Sequence, residues 1–305
     1  MNATNQVFVI TFALVCMGFL LKQYNFITEK DGKIISKFLM HSTFPALMLV
    51  STSTLKLNAS LAYIPLFAVA LGLLMLLIAW FWLSDYDNRL RGVLTMGVGG
   101  FNTGLFGFSI IEGLFGKESL LYAIMFDIGN TFVVFFVIYT IGCYFSEKQS
   151  SQIKPFTILK RVLSLPPVLA MVIGLIINAS SWQMPVIMFD FLEILAKGNK
   201  PIVLLLMGIY LSFELDKKTM FAVSKVLSIR YLVGSLVVAG LYYWLPNQST
   251  MRSVLMVCSI LPIGMTILPF SDEMDFDSRI AGTMLNLSLL ISFVLIWALA
   301  LVLKL

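Results

Sequence analysis

Most of the chain alternates apolar runs of about twenty residues with short polar interruptions, the pattern of helices that cross a bilayer. Reading the runs against their interruptions predicts ten spans, near 5–22, 33–54, 61–83, 89–111, 118–145, 160–179, 186–213, 225–245, 251–271 and 279–303. Over 305 residues this leaves short loops and no room for a sizeable soluble domain, so 1–305 reads as one membrane domain. The first run starts close to Met1, with no basic residues before it and no small-residue cleavage pattern after it, and is expected to be a retained span.

The two halves of the pattern resemble each other. Met17–Leu21 matches Ile173–Ile177 and Phe44–Leu49 matches Lys200–Leu205, with Gly18 and Pro45 separated by 27 residues, as are Gly174 and Pro201. Farther on, Arg91–Leu94 matches Arg252–Leu255, the offset having grown from 156 to 161. Five spans per half is an odd number, so two copies must lie upside down relative to each other. The expected fold is therefore an all-α membrane protein of ten transmembrane helices in two inverted five-helix repeats, 5–145 and 160–303, an arrangement found in secondary transporters. The plain alternative is that apolar helices resemble one another whatever their origin.

Spans four and nine, which correspond in the two halves, carry the most helix breakers. Span four holds Gly97, Gly99, Gly100, Asn102, Thr103, Gly104 and Gly107; span nine holds Pro262, Gly264 and Pro269. Each glycine costs about 1 kcal/mol in helix propensity, and each proline removes a backbone donor. Unwound backbone survives at membrane depth only where it is buried in protein or lines a cavity. Two such segments crossing near the midplane would turn half-helix N-termini toward one site suited to an anion, which makes Asn102, Thr103, Gly104, Pro262 and Gly264 candidate substrate-binding residues. Alternatively, span four packs closely on its neighbours and the prolines only kink span nine.

Composition agrees: 59% of residues are hydrophobic and 12% charged, with a mean hydropathy of +0.93. The net charge of +5 comes without a dense basic run, which argues against nucleic acid as a partner. Fifteen of the 21 Lys and Arg residues, from Lys22 to Arg279 and including Arg230, are assigned to the odd-numbered loops, against Lys56, Lys117, Arg252 and Lys304 on the other side. The positive-inside rule then puts the odd loops in the cytoplasm and both termini outside. Cys16, Cys143 and Cys258 lie in apolar runs at no metal-ligand or redox spacing, so packing roles are expected and no cofactor or metal site is assigned.

Ionisable groups at membrane depth are costly and hence functional candidates. His41 lies in span two, Asp127 in span five, and Lys197 and Lys200 in span seven, with Glu193 one turn before Lys197. At the offset of 156, His41 corresponds to Lys197 and Phe44 to Lys200. Lys197 or Lys200 is expected to face a substrate carboxylate; the competing reading has Lys197 snorkelling to a headgroup and pairing with Glu193. Asp127 and Asn130 share a helix face and are expected to support the crossover backbone or to exchange a proton. His41 is a second proton-coupling candidate or a packing residue, and Asn286 in span ten is expected to hydrogen-bond another helix. The stretch Asp272–Asp277 lacks EF-hand spacing and reads as a solvated loop.

Asn102–Gly107 in span four, Asp127-Ile128-Gly129-Asn130 in span five and Leu261-Pro262 in span nine resemble the auxin efflux carrier family, over essentially the whole chain. The resemblance implies a ten-helix fold with crossed broken helices, like those of sodium-proton antiporters and bile-acid transporters. It also implies elevator-type alternating access, a homodimer and, from its bacterial malate and malonate permeases, a bacterial plasma membrane. One departure is Phe108-Ser109, where family members often have a proline. The expected function is secondary transport of a small organic anion, a dicarboxylate such as malate first, with proton or sodium coupling. The alternatives are an auxin-like amphipathic weak acid, for which Phe101, Phe106 and Phe108 would line the crossover, and a membrane sensor without flux. An intramembrane enzyme finds no zinc, serine-elbow or paired-aspartate motif, and an ATP-driven pump finds no phosphate-binding loop.

Overall fold

The computed structural model describes residues 3–54, 61–147, 156, 160, 163–180, 182–211, 216–245 and 249–303. Lys56, Lys148, Lys154, Arg161 and Lys304, used above for orientation, lie outside the described residues.

The first half contains α1 (Ala3–Gln23), α2 (Glu29–His41), α3 (Thr43–Ser53), α4 (Tyr63–Trp82) and α5 (Asn88–Gly99). A π-helical turn, Thr103–Gly107, then leads into α6 (Phe108–Phe115). The half closes with α7 (Leu120–Phe132), which continues through a second π-helical stretch into α8 (Tyr139–Phe145). The second half contains α9 (Pro166–Ser180), α10 (Val186–Ile209), α11 (Lys217–Trp244), α12 (Thr250–Ser259), α13 (Ile267–Glu273) and α14 (Ser278–Val302).

Helix starts follow side-chain caps: Asp87 accepts from the Leu90 N–H, Ser249 from Arg252 and Asp277 from Arg279, each satisfying a first-turn donor that the helix leaves free. The cap of α11 is Asp216, so that helix begins eight residues before the expected start of span eight, Lys225.

Among the described residues, five helical stretches are long and apolar enough to cross a membrane: Glu29–Ser53, Tyr63–Trp82, Leu120–Phe145, Lys217–Trp244 and Ser278–Val302. The runs expected as spans four and nine are interrupted, between Gly99 and Thr103 and between Ser259 and Ile267. Pro269 does not add a second break to span nine: it sits in the first turn of α13, where the missing N–H has no helical partner to lose. Gly97 and Gly99 are likewise inside α5, and side chains there would meet Met284 and Leu76, so part of the glycine run serves close packing.

Two sets of helices pack mainly on themselves. One comprises α1, α2, α3, α9 and α10; the other comprises α4, α5, α6, α7, α8, α11, α12, α13 and α14, and the sets meet where α1 touches α6 and α10 touches the first π turn. Within the first set the contacts are reciprocal. A side chain at Gly18 would begin 2.0 Å from the Leu205 carbonyl oxygen, and one at Gly174 would begin 2.9 Å from that of Leu49. Gly18 and Gly174 stand 156 residues apart, as do Leu49 and Leu205 and as do Thr43 and Asn199, whose buried side chains hydrogen-bond to each other at 2.9 Å. Without a Cβ the backbones touch, which gives dispersion contacts in a setting where lipid supplies no hydrophobic drive between helices.

Candidate functional site at the crossover

The two interrupted segments meet. Phe101 and Ile263 form an antiparallel bridge, and the Asn102 N–H donates to the Pro262 carbonyl at 2.9 Å. Backbone groups that glycine and proline release from the helices are thereby paired across the chain. Asn130 of α7 braces the first segment like a strand neighbour: its Oδ1 accepts from the Phe101 N–H at 2.9 Å and its Nδ2 donates to the Phe101 carbonyl at 2.8 Å. The same Nδ2 lies 3.1 Å from Asp127 Oδ1 and 3.4 Å from Thr103 Oγ1. On the second segment the Ile263 N–H donates to Ser288 Oγ of α14 at 3.0 Å.

Beneath both segments lies Arg230 of α11, fully buried. Its Nη1 donates to the Val98 carbonyl at 2.7 Å, its Nη2 to those of Leu261 and Pro262 at 2.7 and 2.9 Å, and its Nε to Leu261 at 3.1 Å. The guanidinium also lies 4.4 Å from the centre of the Phe101 ring. Among the described residues no carboxylate pairs with it. Arg230 was read above as a loop residue contributing to orientation; the structure corrects this. An arginine five residues inside span eight is itself the signal that could have singled it out.

Above the crossing is a cavity of about 50 Å³, room for a few waters. Its polar lining comes from Asn102, Thr103, Gly104, Asp127, Asn130 and Gly264, together with Ser36, Thr131 and Thr266; its apolar lining includes Leu39, Met40, Phe44, Val134 and Phe135. Among the described residues Asp127 is the one ionisable group in that lining. Asn102 is 3% exposed; its Oδ1 accepts from the Phe106 N–H at 3.2 Å, which closes the π turn, and its Nδ2 has no partner among the described residues. Six of the eleven candidates singled out above thus line one cavity, and Pro262 lies directly beside them in the bridge.

The other four lie elsewhere. Lys197 is exposed and ion-paired to Glu193 at 3.0 Å, one turn away on α10, the arrangement that the competing reading described. Lys200 is partly buried and outside the cavity lining. His41 ends α2 on the outer surface, with Nδ1 2.8 Å from the Lys37 carbonyl. Asn286 is buried in α14 and donates from Nδ2 to the carbonyl of Tyr210, the residue that ends α10, joining the two helix sets. Phe101 lines the cavity, whereas Phe106 and Phe108 are buried outside its lining. Asp272–Asp277 is only in part the expected solvated loop: Asp272 and Glu273 end α13 and Met274 and Phe276 are buried, while Asp272 pairs with Lys33 at 3.1 Å, Asp275 with Arg89 at 3.0 Å, and Asp277 caps α14. Cys16 and Cys258 are free thiols.

A crossing of two broken helices around a small polar cavity, buried among apolar helices, is the architecture of a membrane carrier. The model of the family described as membrane transport protein matches residues 3–299. The chain belongs to that family, the auxin efflux carriers. It is similar to a protein named as an uncharacterized transporter of Methanothermobacter thermautotrophicus, 26% identical over 286 residues and covering 92% of each chain. It is also similar to one so named from Methanocaldococcus jannaschii, 22% identical over 303 residues, 95% of this chain and 96% of that protein. This auxin efflux carrier family member is an integral membrane protein of a transport family.

Proposed function

We propose that the protein is a secondary transporter of a small organic anion that binds at the crossover. The observation that carries this reading is the unpartnered amide donor of Asn102, buried and lining the cavity beside Thr103 and Gly104, a place where a carboxylate oxygen would restore the missing hydrogen bond. The continuous helical segment that starts at Thr103 has its free N–H groups at the same point.

The cavity lining favours a substrate with one carboxylate and an apolar body. The dicarboxylate expectation leaned on the family resemblance and on Lys197 and Lys200; neither lysine lines the cavity, whereas Leu39, Met40, Phe44, Val134 and Phe135 do. An anion beside an ionised Asp127 would be repelled in a low-dielectric site, so anion binding is proposed to be linked to proton uptake on Asp127, making the carrier a proton-anion symporter. The separation into two helix sets supports an elevator movement of the crossover set against the other. The reciprocal Gly18 and Gly174 contacts support the inverted repeat and its ten spans. The proposed setting is the plasma membrane, with odd-numbered loops cytoplasmic.

Uptake of labelled phenylacetate and labelled malate into proteoliposomes tests this. Phenylacetate is expected to accumulate faster when the side it enters from is made acidic, and Asp127→Asn is expected to remove that stimulation while leaving uptake measurable. Malate uptake that phenylacetate does not inhibit would restore the dicarboxylate; binding of either acid without flux would point to a sensor.

A further inference from the structure

We infer that Arg230 is a positioning residue whose fixed charge balances the C-terminal poles of both broken helices and so holds the crossover in the form that presents Asn102 to the cavity. Three observations meet here. First, the guanidinium contacts the ends of two different helices: Val98 is one residue from the end of α5, and Leu261 and Pro262 follow α12. Second, it is completely buried, and among the described residues its polar partners are three carbonyl oxygens and the neighbouring Tyr231 hydroxyl, with no carboxylate paired to it. Third, it lies against Phe101, the residue that bridges to Ile263 and precedes Asn102.

A buried charge with no counter-ion is costly. Each helix C-terminus carries a partial charge of about −0.5, so two of them together offset one guanidinium. Arginine suits the position because its planar fork sends donors to three carbonyls at once while its face rests on an aromatic ring, which the compact ammonium of lysine cannot do. With both negative poles answered from below, the helical segment that starts at Thr103 keeps its positive end uncompensated toward the cavity. The inference about the backbone stands apart from the identity of the substrate; its extension to affinity rests on the proposed transport.

Hydrogen exchange read by mass spectrometry on the full-length protein in lipid nanodiscs provides the test, comparing Arg230→Gln with Arg230→Lys. In R230Q, exchange of peptides covering 98–107 and 260–266 is expected to accelerate about tenfold, with the α9 and α10 peptides unchanged, because charge-assisted bonds to both ends are lost. R230K keeps the charge and is expected to stay within about threefold of the native rate. Equal acceleration in both variants, no acceleration in either, or acceleration spread evenly over the chain would overturn the inference. Should R230Q fail to fold, Phe101→Leu removes the ring and leaves the charge. Acceleration of about threefold confined to the same peptides is expected there, and no local change would overturn the inference. In uptake of phenylacetate, R230Q is expected to raise KM about tenfold at preserved turnover. If wild-type protein does not take up phenylacetate, the transport proposal fails on its own and the exchange comparison still decides the role of Arg230.

Discussion

The two crossover segments occupy matching places and are built differently. The first turns through Asn102 into a π-helical turn and is braced by an amide, Asn130, which answers both the N–H and the carbonyl of Phe101. The second passes through Pro262 and Gly264 and is braced by a hydroxyl, Ser288, which answers one N–H, while Arg230 takes its carbonyls. The polar side chains that the first half brings to the cavity, among them Asn102, Thr103, Asp127 and Asn130, have no counterpart of equal polarity in the second, which contributes Gly264, Met265 and Thr266. Under the proposed function the two segments therefore divide the work: the first would recognise the substrate, and the second closes the crossing.

That division can be broken from either side. Asn130→Ala removes both braces of Phe101 and the donor to Asp127, and is expected to cost about 2–4 kcal/mol, read as a lowered midpoint of thermal unfolding in detergent, together with loss of uptake. Asn102→Asp keeps the oxygen that accepts from Phe106 and replaces the free donor by an acceptor of like charge to the substrate; KM for phenylacetate is expected to rise about a hundredfold with the unfolding midpoint little changed. Ser288→Ala leaves one N–H unanswered and is expected to cost about 1–2 kcal/mol, so an effect equal to that of Asn130→Ala would erase the asymmetry. Lys197→Ala breaks an exposed pair and is expected to change KM by less than about twofold; a larger rise would return span seven to the site.

The place of the crossover was legible because glycine and proline act locally: their effect on the backbone needs no knowledge of neighbours, and two such clusters at matching positions located the crossing. Asn102, Thr103, Gly104 and Gly264 came from those clusters, whereas Asp127 was singled out as an ionisable group at membrane depth and Asn130 by sharing its helix face. Arg230 escaped because a basic residue near a span end has two readings, orientation and function, and its partners are carbonyls, which every residue carries and no sequence pattern marks. The lysines of span seven were misjudged for a related reason. Which face of a helix looks inward is set by packing, and Gly198 between them has nothing within 4 Å of where a side chain would start. Pro269 was expected to break a helix it only begins, since a proline's effect depends on its place in the turn.

The guanidinium beneath the crossing also bears on how the membrane voltage acts. Two helix ends of about −0.5 each answer the guanidinium locally, but each helix carries about +0.5 at its other end, so the helices add no net charge and Arg230 leaves the crossing with one positive charge. Each uncompensated charge would be worth about 2.3 kcal/mol per 100 mV. In the proposed symport that charge is offset by an ionised Asp127 when the site is empty, and by the bound monoanion, with Asp127 protonated, when it is loaded. Both forms would then cross the field near neutrality, and under that proposal the proton gradient, rather than the potential, sets the direction of flow.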